Sequence, residues 1–143
     1  TKSFAIVGPV WHDNDALSLK ELPNIHLLGY KSYAEAPMYI QQFDVGLIPH
    51  RASAFVTSTN PMKLYEYLAC GKPVLATASS GVDALKDYVY IANTPEEANR
   101  KLFVALQEDT EELHRARAKA VEEYSWSAST HQKLDIIDKK MNV

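Results

Sequence analysis

Five short apolar runs, at residues 4–7, 25–28, 45–48, 74–76 and 89–91, are each bounded by Gly, Pro, Asn or Asp and alternate with longer helical patterns. This alternation is the mark of βαβ units, and it predicts a Rossmann-like, doubly wound α/β fold: a parallel sheet of about five or six strands with helices on both faces. Residues 33–43 and 62–70 read as crossover helices, the second with Leu64 and Leu68 at i, i+4 toward a core. From Pro95 onward the pattern turns helical, with Pro95 at a first-turn position and Glu96 and Glu97 suited to the positive end of the helix dipole. The stretch from 95 to the end carries 10 acidic and 8 basic residues against 8 and 7 before it, and reads as a solvated face. Ser125-Trp126-Ser127 interrupts this helical extension, and a last amphipathic helix with Leu134, Ile137 and Met141 on one stripe closes the chain.

A length of 143 residues is one domain's worth, so residues 1–143 are read as a single domain. With 46% hydrophobic and 23% charged residues the composition excludes disorder. A net charge of −3 offers no basic field, so nucleic acid is not expected as a partner. The single cysteine, Cys70, cannot form an internal disulfide, and no Cys/His set has structural-zinc spacing. Cys70 reads as a small buried hydrophobe at the end of an apolar helix face. No apolar run approaches the ~20 residues that span a bilayer, and the start T-K-S-F-A-I-V-G lacks the layout of a signal peptide. A soluble, cytoplasmic domain is expected. Because the chain opens directly into a strand with no initiator Met, it is expected to be part of something longer.

The densest chemical signal is the segment from Thr59 to Val74, T-N-P-M-K-L-Y-E-Y-L-A-C-G-K-P-V. Thr59 or Asn60 suits an N-cap, Pro61 the first helical position, and Gly71 ends the helix before a strand. Pro61 has no N–H, so the amides of Met62 and Lys63 remain at a positive dipole end beside the Lys63 ammonium, a combination suited to phosphate. Glu66 lies one turn on, where a carboxylate accepts from two vicinal ribose hydroxyls. The plainer reading makes Lys63 and Glu66 an exposed i, i+3 pair worth a few tenths of a kcal/mol.

The run N-P-x-K-x-x-E-Y-x-A-x-G-K-P-V, preceded by D-V-G-L-I-P at 44–49 and N-I-H-L-L-G-Y at 24–30, resembles the C-terminal, donor-binding domain of GT-B glycosyltransferases. It is most similar to the large group-1, family-4-like set that uses nucleotide-diphosphate sugars. Residues 33–43 look like that family's helix before the D-V-x-x-x-P strand, and Tyr124-Ser125-Trp126 like its late y-S-W segment. The resemblance implies transfer of a glycosyl group from a nucleotide-sugar, in glycan or polysaccharide biosynthesis, and donor binding at the C-terminal ends of the parallel strands. By residue, it implies that Glu66 holds the ribose and that Lys63, Met62, Asn60 and Thr59 meet the diphosphate. Gly29 and Tyr30 line the base, and Pro49 closes the strand before the site. The family's first glutamate would fall at Ser58, which cannot supply a carboxylate to the sugar, so the sugar's identity stays open. Ser58, His50 and Gly8 are assigned to the sugar and cleft. The resemblance further implies an N-terminal acceptor domain of the same enzyme as partner, a peripheral place at the cytoplasmic membrane face, and no tightly bound metal or other cofactor.

Other constellations compete. Asp13-Asn14-Asp15 has the form of a divalent-cation motif, while the plain alternative is an Asp N-cap on a short helix. His12 and His50 both follow strand ends, whereas His26 lies in a strand and His114 and His131 in charged helices. The first strand ends Gly8-Pro9-Val10-Trp11, without the glycines of a dinucleotide-binding turn. The alternative to a transferase is a non-catalytic, flavodoxin-like regulatory or binding domain in which the 60–73 segment is only a crossover.

Overall fold

The computed structural model describes residues 2–10, 18–51 and 53–141. The Asp13-Asn14-Asp15 triplet and His12 lie outside the described residues. The chain divides into two units, Thr1–Met38 and Tyr39–Val143.

In the first unit β1 (Phe4–Val7) and β2 (Ile25–Gly29) pair in parallel, Phe4 opposite Ile25, with a register shift between Ile6 and Val7. The ladder starts where the Phe4 N–H donates to the Asn24 carbonyl at 2.8 Å. It ends at two glycines: Gly8 (φ 144°) donates its N–H to the Gly29 carbonyl (φ 69°) at 2.9 Å. Both φ values favour a residue without a Cβ. The helix expected over 33–43 is shorter, α1 (Ala36–Gln41), and the boundary between the units falls within it. The Ser32 N–H and hydroxyl donate to the Glu35 carboxylate at 2.9 and 2.6 Å, so a turn occupies the expected first residues. The Ser32 hydroxyl, then its N–H, hold the Glu35 carboxyl below its ordinary range.

In the second unit β3 (Gly46–Ile48), β4 (Val74–Ala76) and β5 (Val89–Ile91) form a parallel sheet in that order. All three residues of β4 are buried although successive side chains point to opposite faces, so both faces of this strand are covered. The five strands are those anticipated, but they are hydrogen-bonded as a two-stranded and a three-stranded ladder, and no sixth strand occurs among the described residues.

Between β3 and β4 run a single turn, α2 (Ala54–Thr57), and the crossover helix α3 (Met62–Ala69). Leu64 and Leu68 are both 0% exposed and anchor α3 in a cluster with Ile48, Val74, Val82 and Val121. Leu64 alone removes a whole side chain from water, worth about 1.5–3 kcal/mol. A Cβ on Gly46 would overlap the Tyr67 ring, so glycine is what allows β3 to lie directly under α3. The helix ends as a Schellman motif: the Gly71 N–H (φ 74°) donates to the Leu68 carbonyl at 2.8 Å and the Lys72 N–H to Tyr67 at 3.0 Å. Cys70, the cap residue, is half-buried rather than buried, and burial pushes its thiol pKa up.

After β4 come α4 (Ser80–Asp83) and a 3-10 turn (Lys86–Tyr88), then β5. The charged extension expected as one long helical stretch is two helices, α5 (Pro95–Gln107) and α6 (Glu111–Ala120), each capped by a threonine. Thr94 accepts from the Glu97 N–H at 3.2 Å and Thr110 from Leu113 at 3.3 Å. A 3-10 turn (Glu122–Tyr124) leads to α7 (Trp126–Met141), whose Leu134, Ile137 and Met141 stripe is exposed.

One charge in this extension is not solvated. Arg117 is 3% exposed; its Nη1 donates to the Gly71 carbonyl at 3.1 Å and to Asp109 Oδ1 at 2.5 Å. Asp109 Oδ2 lies 2.7 Å from His114 Nε2. This knot ties the α5–α6 turn to the α3–β4 turn. Burial alone would raise the Asp109 pKa, but the His114 and Arg117 hydrogen bonds and charges outweigh it and hold the carboxyl below its ordinary value.

Candidate functional site

The C-terminal edge of the three-stranded sheet gathers three connections. His50 donates its N–H to the Ile48 carbonyl at 3.1 Å, and Thr77 donates to the same carbonyl at 3.2 Å. On the other side Ala92 donates to Ala76 at 2.9 Å, and the Ala78 N–H to Asn93 Oδ1 at 3.3 Å. Pro49 and His50, residues 77–81 and Asn93 therefore leave the sheet along one edge, the edge where open parallel sheets bind ligands. Ser79 is 3% exposed, and its Oγ has no hydrogen-bond partner among the described residues. A buried hydroxyl without a partner is uncommon.

The start of α3 lies against the second of these connections. Gly81 donates its N–H to the Thr59 carbonyl at 3.2 Å, and a Cβ at Gly81 would come 2.8 Å from Asn60 Cα and overlap Asn60 Oδ1. The expected cap is displaced by one residue. Pro61 itself occupies the N-cap position in extended conformation (φ −73°, ψ 118°), α3 begins at Met62, and no side chain caps it. Asn60 is otherwise engaged, because its Oδ1 accepts the Tyr65 hydroxyl at 2.9 Å. The Leu64 N–H closes onto the Pro61 carbonyl at 3.0 Å, whereas the Met62 and Lys63 N–H groups have no acceptor among the described residues. Two open amides, the positive end of an eight-residue helix and the exposed Lys63 side chain thus coincide. Glu66, half-buried, follows one turn later.

Ser58 and Thr59 have committed their protons: the Ser58 hydroxyl donates to the Phe55 carbonyl at 2.9 Å and that of Thr59 to Val56 at 2.7 Å. Their oxygens remain acceptors, suited to a sugar hydroxyl rather than to a phosphate oxygen. In the first unit Gly8 and Gly29 are joined by the hydrogen bond already described, and Tyr30 follows them 72% exposed. Sequence reasoning missed Tyr65, Ser79 and Gly81. The run Ser79-Ser80-Gly81, shortly after the 74–76 strand, was the available signal for two of them. Nothing local marks Tyr65.

Among the described residues no group of three or more His, Cys, Asp and Glu is placed to hold a metal ion, and no helix is long and apolar enough to cross a membrane. Of the remaining histidines, His26 is exposed on β2 and His131 Nδ1 lies 2.8 Å from the Ser127 carbonyl within α7.

Comparison with known proteins agrees with this architecture. Residues 1–135 match the family described as glycosyl transferase-like. Over 91 residues the chain is 35% identical to TuaH of Bacillus subtilis (strain 168), which is named for teichuronic acid biosynthesis as a glycosyltransferase. The aligned stretch is 62% of this chain and 23% of that protein, so the chain spans about a quarter of its relative's length. The parallel α/β scaffold, the α3 segment and a match along nearly the whole chain converge: the protein belongs to the glycosyl transferase-like family, as a domain of the GT-B type.

Proposed function

We propose that this chain is the donor-binding half of a two-domain glycosyltransferase, and that it grips a nucleotide-diphosphate sugar for transfer of the glycosyl group in polysaccharide assembly. The observation that carries the reading is the uncapped start of α3, with two open amides and Lys63 at the C-terminal edge of a parallel sheet and Glu66 one turn on. The amides and the ammonium take the diphosphate, and Glu66 accepts from the ribose hydroxyls. Pro49, His50 and Ser58 are assigned to the sugar and its surroundings.

As the glycosidic bond to the donor breaks, negative charge develops on the leaving diphosphate. Preorganised donors at that position are worth a few kcal/mol each in a site that excludes water, and here they are Lys63 and the α3 amides rather than a resident metal. The acceptor and the group that activates it belong to the rest of the full-length protein, in the cytoplasm at the membrane face. Transfer therefore requires closure of the partner domain over the donor, and the 143-residue chain by itself is expected to bind without turning over. Polysaccharide assembly is supported by what the Bacillus relative is named for.

Calorimetry of the chain with uridine and guanosine diphosphates and with the two nucleosides tests the grip. Lys63→Ala should lower diphosphate affinity about tenfold and leave the weak nucleoside binding nearly unchanged, as expected for one lost charge contact. Equal losses for both ligand classes would make Lys63 a support of the fold. No melting-temperature shift with any nucleotide would favour a non-catalytic α/β domain.

A further inference from the structure

Asn60 stands just outside the N-cap of α3, which Pro61 occupies, and its side chain does not cap the helix. Its Oδ1 accepts the Tyr65 hydroxyl at 2.9 Å, and Gly81 of the neighbouring connection lies close enough that a Cβ there would overlap the same oxygen. A phenol has one proton to donate, and here it goes to Oδ1, which sets which end of the carboxamide is committed. The Nδ2 group, with two hydrogens to give, has no acceptor among the described residues. The Tyr65 ring is itself held, packed on Tyr124 with centroids 5.1 Å apart and planes at 42°.

Resting on the donor-site reading above, we infer that Tyr65 is a positioning residue of the diphosphate site: its hydroxyl locks the Asn60 carboxamide with Nδ2 available as a third donor beside the Met62 and Lys63 amides. Without the lock, the exposed Asn60 side chain is free to turn Oδ1 toward the Met62 and Lys63 amides, which no side chain caps. In that orientation Oδ1 competes with the phosphate for the same N–H groups. Tyr65 thus keeps Asn60 from closing the site with its own side chain. The ring stack on Tyr124 supplies the rigidity, since it fixes where the hydroxyl can point. Tyr65 touches no ligand in this scheme and acts only through Asn60.

Tyr65→Phe deletes the hydroxyl and keeps the ring on Tyr124, so the melting temperature should stay within about 2 °C of wild type. Calorimetry on the full 143-residue chain then compares wild type, Tyr65→Phe, Asn60→Ala and the double variant, with uridine and guanosine diphosphates and the nucleosides as probes. Tyr65→Phe should weaken diphosphate binding roughly three- to tenfold, the loss expected of one ordinary hydrogen bond, and leave the nucleosides unaffected. In the Asn60→Ala background the same substitution should change nothing further. The Asn60 side-chain NH2 signals should also move in the nitrogen–proton spectrum of ligand-free Tyr65→Phe. Diphosphate binding at wild-type strength in Tyr65→Phe, or an effect that persists undiminished without Asn60, overturns the inference while Lys63→Ala still reports on the site. If wild type binds no diphosphate at all, the donor-site reading fails, and the role of Tyr65 fails with it.

Discussion

Removing the Asp109 carboxylate should unfold this protein at a markedly lower temperature, although Asp109 lies in the charged extension and far along the chain from α3. The Arg117 guanidinium is 3% exposed; it donates to Asp109 at 2.5 Å and to the Gly71 carbonyl at 3.1 Å, and the Tyr90 hydroxyl lies beside it. Asp109→Ala leaves that cation buried with only neutral acceptors, the Gly71 carbonyl and the Tyr90 hydroxyl, and breaking a buried pair in this way costs about 3–5 kcal/mol. Asp109 is itself 24% exposed, so water reaches the gap and the lower end, about 3 kcal/mol, is expected. At about 2–4 °C per kcal/mol for a domain of this size, the melting temperature should fall by about 6–12 °C. Arg117→Met in the same chain should restore most of the loss, because the orphaned charge is then gone. The pH dependence has a definite sign. The folded Asp109 carboxyl titrates below its unfolded value, so its stabilisation is present above about pH 4 and is lost as pH falls through the folded pKa. The gap between wild type and Asp109→Ala should therefore narrow below about pH 4. Calorimetric or circular-dichroism melting across pH decides it. A decrease under about 2 °C at neutral pH, a double variant less stable than the single, or a gap undiminished in acid would each refute the argument.

Gly46→Ala drives a methyl into the Tyr67 ring and should cost about 1–3 kcal/mol in urea unfolding; in a Tyr67→Ala background the same change should cost under about 1 kcal/mol, since the obstruction is then gone. Glu66→Ala should weaken ribonucleoside diphosphates by about 1.5–3 kcal/mol while 2′,3′-dideoxy analogues, which offer it no hydroxyl, bind wild type and variant alike; equal binding of the ribonucleotide to both would leave Glu66 a surface residue.

The strands were legible because each is a short apolar run closed by a turn residue, and the structure moves their bounds by one residue at most, Leu28 to Gly29 and Val45 to Gly46. The α3 helix was equally legible from Leu64, Leu68 and Gly71, which encode its buried face and its end locally. The break between α5 and α6 was not. No glycine or proline interrupts residues 96–124, so periodicity and propensity both favour one continuous helix. What ends α5 is tertiary: Asp109 turns away to meet Arg117 and His114, and Thr110 restarts the helix as its cap. For the same reason Arg117 reads as a solvated charge in sequence, since nothing near it announces that the Gly71 carbonyl, in another element, needs a donor.

The site divides along the same line. Spacing put Lys63 and Glu66 on one helix, where the plainer reading was an exposed pair and the resemblance implied the donor site, whereas Asn60 was misplaced as a cap because capping rules weigh only the helix that follows. Here two other groups compete for its side chain, the Tyr65 hydroxyl and the close approach of Gly81. The outcome has a thermodynamic direction. A capped start would stabilise α3 by about 0.5–2 kcal/mol, and the chain forgoes this despite carrying a preferred capping residue in the adjacent position. Proteins break a local rule of this kind mainly where function requires it. An open helix start is less stable when empty and a better anion site when filled, because the amides a cap would satisfy are the amides a phosphate needs. The missing cap therefore argues for a diphosphate at α3 more strongly than the capped helix expected from sequence would have done.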